Sequence, residues 1–121
     1  MKVETRHCLS HYNGEFACSL QDVQAAMGES DKVFYHVGEF PGSFNEHEVK
    51  FAYVHTDTDT YLGTKASIDV MYPRLVENGK LMIDDYHWAY CPGVQKAVLE
   101  CGLPGVNFGN QFMMRKPPAV G

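Results

Sequence analysis

Residues 51–61 read FAYVHTDTDTY, and residues 80–86 read KLMIDDY. Both are apolar runs of strand length that stop abruptly at aspartates: Asp57 and Asp59 in the first, Asp84 and Asp85 in the second. A stretch with helical spacing lies between them. Two buried strands joined through a helix predict a right-handed crossover with the strands parallel. Both runs then end at the carboxyl edge of one sheet, which is where ligands collect. Asp57 and the Asp84-Asp85 pair are therefore expected side by side. Carboxylates gathered in this way repel one another unless a cation lies among them. The competing reading is local, because an aspartate after a strand also suits the N-terminus of the next helix, whose dipole favours a negative charge.

Outward from this unit, Ala66, Ile68, Met71, Tyr72, Leu75 and Val76 space out an amphipathic helix over 62–77. Pro73 should kink that helix, and Asn78-Gly79 should stop it. Pro92 stands well as the first residue of a further helix carrying Val94, Ala97, Val98 and Leu99, with Gly102 as its stop. Residues 106–108 and 111–114, separated by Gly109-Asn110, read as a closing antiparallel hairpin. On the other side, Ser19 with Asp22 resembles a capping box opening a helix over Leu20, Val23, Ala26 and Met27, with Gly28 at its end. Residues 33–37 read as a short strand, Pro41-Gly42 as a turn, and 45–50 as one helical turn. The expected fold is α/β: three layers, with a mostly parallel sheet of four or five strands and a C-terminal antiparallel hairpin. It divides into an irregular segment 1–14, a single domain 15–115 and a loose tail 116–121.

Composition narrows the function. A chain of 121 residues makes one domain. A net charge of −5 without a basic stripe argues against nucleic acid as a partner. No apolar run approaches the roughly 20 residues of a membrane helix, and the N-terminus lacks the apolar core of a secretory signal, so the cytoplasm is the expected compartment. The four cysteines, Cys8, Cys18, Cys91 and Cys101, form no CxxC pair and read as free thiols.

The stretches VFYHVGEF (33–40), FAYVHTDTDTY (51–61), YPRL (72–75), Asn78-Gly79, IDDY (83–86) and PGVQKAV (92–98) together resemble the class I S-adenosylmethionine-dependent methyltransferases, and most of all the macrocin O-methyltransferase (TylF) family. The similarity spans roughly residues 15–114 and implies a Rossmann-like methyltransferase fold. By that resemblance Asp57, Asp84 and Asp85 would bind a divalent metal, Mg²⁺ in kind, which grips the hydroxyl of a sugar-like acceptor. The chain departs from the pattern in one respect. It contains no GxGxxG-like cluster and no acidic residue closing a second strand, the features that hold the cofactor. It therefore resembles a C-terminal half-domain in which the metal edge is kept and the S-adenosylmethionine cradle is missing. The expected function is that of a truncated O-methyltransferase-like protein; the alternative is a non-catalytic metal-binding or oligomerisation module derived from one.

Other residues carry paired readings. His87 follows the second acidic run and could take a proton from a metal-held hydroxyl, with Asp57 as the second candidate catalytic group. His55 reads as a core histidine. Asp59 orients a neighbouring loop, caps the helix or serves as a ligand or substrate contact, and Tyr61, Tyr86 and Trp88 are either packing residues or a stacking wall for a ring. In the complete fold another strand would flank residues 51–56. Here that apolar edge would be exposed, so a homodimer or higher oligomer through strand 51–56 is expected, unless residues 33–37 pair with it.

Overall fold

The computed structural model describes residues 19–44 and 48–119. Helix α1 spans Leu20–Met27, strand β1 Phe51–Thr56, helix α2 Tyr61–Met71, strand β2 Leu75–Ile83, helix α3 Pro92–Cys101, strand β3 Gly105–Phe108 and strand β4 Gln111–Arg115. A 3-10 turn, Tyr72–Arg74, joins α2 to β2. The strands form one sheet in the order β1-β2-β4-β3.

The crossover from 51 to 83 is present: β1 and β2 are parallel, with Thr56 opposite Ile83. The rest of the sheet is antiparallel, since β4 runs against β2 and β3 against β4. The sheet is therefore mixed rather than mostly parallel. The expected strand over 33–37 does not form, so a second parallel pairing is lost. One reason lies in the exposure of this segment: Phe34 is 75% and Val37 70% exposed, and β propensity without a buried face does not hold a strand. The expected turn over 45–50 falls partly outside the described residues.

Pro73 does more than kink a helix. It ends α2 in the 3-10 turn, and the chain extends from Leu75 onward. Asn78-Gly79 consequently lies inside β2 rather than at a helix end. Asn78 adopts φ 62, the left-handed region that Asn tolerates, and the pairing of β1 with β2 shifts register beside it. A side chain on Gly79 would meet the Phe51 carbonyl oxygen at 3.0 Å, so the close strand approach requires glycine there.

The core lies on one face of the sheet. Leu81, Ile83, Phe112 and Met114 point to that face and pack under Ile68 of α2 and Val94 and Val98 of α3. Helix α1 has the expected Ser19 cap, whose hydroxyl accepts from the Asp22 amide at 3.0 Å, yet it buries no residue. The expected three layers are therefore two among the described residues: the sheet and the α2-α3 pair. Cys91 is buried and Cys101 half-buried, Cys8 and Cys18 lie outside the described residues, and no described helix is long and apolar enough to cross a membrane.

Candidate metal site at the carboxyl edge of the sheet

Strands β1 and β2 end side by side, and the ladder runs on past them: the Asp84 amide donates to the Thr56 carbonyl at 3.0 Å. Beyond this point each chain turns sharply through an aspartate in the left-handed region, Asp59 at φ 62 and Asp85 at φ 61. Aspartate is among the few non-glycine residues that enter this region readily. One carboxylate oxygen from each of Asp57, Asp59 and Asp85 lies within 4.8 Å of the others. Asp57 is exposed, while Asp59 and Asp85 are half-buried.

Helix capping does not account for these aspartates. Thr60 is the N-cap of α2, its hydroxyl accepting from the Gly63 amide at 3.0 Å. Thr58 bonds to Thr64 at 3.0 Å, folding the acidic loop down onto the helix. A side chain at Gly63 would meet Thr60 Oγ1 at 2.7 Å and Thr58 Cβ at 2.8 Å, so the loop lies this close only over glycine. At α3 the cap position is Cys91, without a side-chain cap bond.

The electrostatics follow from crowding. Asp57 is raised above its ordinary value, first by partial burial and then by the neighbouring charges of Asp84 and Asp85. Asp59 is pushed up to about 8, first by burial, then by a hydrogen bond to Asp85 and the charge on Asp57. Near neutral pH the cluster therefore keeps a proton on Asp59 when no cation is bound. A divalent ion would replace that proton, and three carboxylate oxygens with room for water are the ligands Mg²⁺ takes.

The expected residues distribute unevenly. Asp57 and Asp85 meet, and Asp59 rather than Asp84 completes the mutual group. Asp84 accepts instead from Gln111 Nε2 at 3.4 Å. His87 is exposed, and its Nε2 lies 3.0 Å from Asn107 Oδ1. An amide oxygen can only accept, so Nε2 is the donor in this contact and Nδ1 is the ring nitrogen left outside it. Tyr86 is buried in the core, stacked on Phe112 with ring centres 4.8 Å apart. Trp88 packs at the core margin, edge-on to Tyr90. Tyr61 ties α2 to α3: its hydroxyl donates to Glu100, and Lys96 Nζ lies 4.9 Å from its ring centre. His55 is exposed rather than in the core.

The residue that sequence reasoning missed is Asn110. Its side chain donates to Asp85 Oδ1 at 2.9 Å and accepts from the His87 amide at 3.1 Å, while its carbonyl accepts from the Tyr86 amide at 2.8 Å. The β3-β4 turn thus clamps the loop 84–87. Gly109-Asn110 registered only as a hairpin signal, and nothing local says which loop a turn residue will reach.

No family model matches the chain, and no curated protein matches it. Among solved structures it is similar to the O-methyltransferase NovP, with 20% identity and a TM-score of 0.46 over 55% of this chain and 29% of that one. It is also similar to CalS11, a TDP-rhamnose 3'-O-methyltransferase of calicheamicin biosynthesis, with 19% identity and a TM-score of 0.49 over 58% of this chain and 33% of that one. The chain spans about a third of the length of these proteins or less.

Proposed function

We propose that the protein is a methyltransferase-derived module whose acidic edge holds a divalent cation of the Mg²⁺ type and presents it to a hydroxyl-bearing, sugar-like acceptor. The observation that carries this reading is the meeting of Asp57, Asp59 and Asp85 within 4.8 Å at the ends of two parallel strands. The DTD-x-Y and IDDY motifs, which resemble those of the macrocin O-methyltransferase family, support it. A cation at this edge would make an acceptor hydroxyl more acidic. The residues present would do the rest: Asp57, Asp59 and Asp85 as ligands, Asp84 as a nearby charge, and His87 Nδ1 as a proton acceptor held in place by Asn107. The two parallel-strand ends carry aspartates and no glycine-rich turn, so they do not fit S-adenosylmethionine, and methyl transfer by this chain alone is not part of the proposal.

Calorimetric titration with Mg²⁺ near pH 8 tests this reading. Saturable binding and a higher melting temperature are expected for the natural chain, and both should vanish in the Asp59→Asn/Asp85→Asn variant. A natural chain that takes up no Mg²⁺ at millimolar concentration ends the proposal.

A second reading, an assembly module, is favoured by the position of β1. It is the outermost strand of the described sheet, and nothing from residues 33–37 pairs with it. Its outer backbone groups suit a second copy added edge to edge into a homodimer or higher oligomer.

A further inference from the structure

The sheet has a second face, opposite the core, and its residues fall into three rows. In the middle row His55, Met82, Met113 and Val106 are successive register partners across all four strands. Met82 and Met113 are half-buried, and Val106 is 53% exposed. Two residues toward the amino end of β1 and β2, the pairing of Tyr53 with Lys80 and of Lys80 with Arg115 gives a basic row. Two residues the other way lie Asp57, Asp84 and Gln111, the last two joined by their side chains, with Phe108 paired to Gln111. Side chains two residues apart share a face, so all three rows look out from the same side. Helices α2 and α3 pack on the opposite side, and α1 buries nothing.

This pattern is self-complementary. A two-fold axis lying between two such faces, along the methionine row, reverses the strand direction and leaves the strand order unchanged. It sets Met82 and Met113 of one copy against the same residues of the other. It also brings Lys80 opposite the second copy's Asp84, and Arg115 opposite its Gln111. We infer that this face of the sheet, which no described helix covers, is the contact surface for a second copy of this chain, packed face to face as an isologous dimer. The charge layout favours this occupant: a face with one basic end, one acidic end and an apolar middle matches its own reversed copy. The arrangement also gives Asp84, the aspartate left out of the mutual carboxylate group, a cationic partner. The surface is separate from the outer edge of β1, where pairing would extend the sheet rather than stack it. The inference does not depend on cation binding.

Sedimentation equilibrium across micromolar to millimolar protein, in chelator, tests it. A dimer is expected. The charge reversal Lys80→Glu, at an exposed position, should weaken it about tenfold or more, and adding Asp84→Lys to that variant should restore it. Met82→Glu should give a monomer, with far-ultraviolet circular dichroism confirming that the chain is still folded. A natural chain that stays monomeric throughout overturns the inference. So does a dimer that keeps its affinity in Lys80→Glu, or one that the double charge swap fails to rescue. Such a dimer would be held elsewhere, with the β1 edge the next surface to test.

Discussion

Residues 19–44 and 51–119 obey the same local rules and end in different states. In the first region Ser19 caps α1 with a hydrogen bond to the Asp22 amide and Gly28 closes it, yet none of its eight residues is buried. In the second, α3 is capped by Cys91 without a side-chain cap bond, yet Gly93, Val94, Ala97 and Val98 are all buried, Val94 and Val98 within the core cluster. Capping contributes roughly 1 kcal/mol at a helix end, whereas each large apolar side chain taken from water contributes about 1.5–3 kcal/mol. The difference teaches that good helix punctuation places a helix but does not recruit it to a core.

The contrast is easiest to break with a core deletion. Leu81→Ala removes a fully buried side chain from the centre of β2 and should cost about 2–5 kcal/mol by denaturant unfolding. Met27→Ala, at a position 57% exposed, should change stability by less than about 0.5 kcal/mol. Comparable losses at the two positions would mean that α1 belongs to the cooperative core after all.

A smaller effect, read against pH, sharpens the comparison within the second region. The Asp59 carboxyl is raised from 3.8 to about 8 in the folded chain, so the folded state holds a proton that the unfolded state has released across that interval. Its contribution to stability is fully present below the ordinary value and is lost as pH rises through the folded one. In chelator, the natural chain should therefore lose melting temperature between about pH 4 and about pH 8 relative to the Asp59→Asn variant, which stays neutral throughout. Parallel pH profiles for the two proteins would refute the raised Asp59 carboxyl. With Mg²⁺ present the order should reverse at the alkaline end, because the ion needs the ionised carboxylate.

The smallest effect is expected at Ser19. Ser19→Ala should lower the local helicity of α1, by about 1 kcal/mol at the cap, as read by amide hydrogen exchange at Asp22 and Val23. The global melting temperature should hardly move. A clear drop in melting temperature would show that α1 is coupled to the core through contacts that its exposure hides.

Much of the fold was legible because its signals are local or periodic. The strand ending at Thr56, the helix opened by Pro92 and the hairpin around Gly109-Asn110 stand where spacing and punctuation placed them, and the helix through Ile68 does so up to its earlier end at Met71. Two expectations failed for a common reason. Residues 33–37 have strand-like composition but no buried face, and Asn78-Gly79 has the look of a helix stop but serves as an irregularity inside β2. In both cases the deciding quantity was contact with a distant segment. The site divided in the same way: Asp57 and Asp85 could be foreseen from two strand ends and Asp59 only as one of several readings, but not the loss of Asp84 from the group, nor Asn110 as the clamp on Asp85.

By itself the sequence determined the parallel pair of strands, the acidic residues at their ends and, at each strand position, which side chains share a side of the sheet. These are consequences of bond geometry and of a period of two along a strand. Only the tertiary structure decided that β4 would lie beside β2, that its turn would reach the loop 84–87, and that helices would cover a single face. Those outcomes depend on register between segments far apart in the chain, where a shift of one residue exchanges every buried side chain for an exposed one.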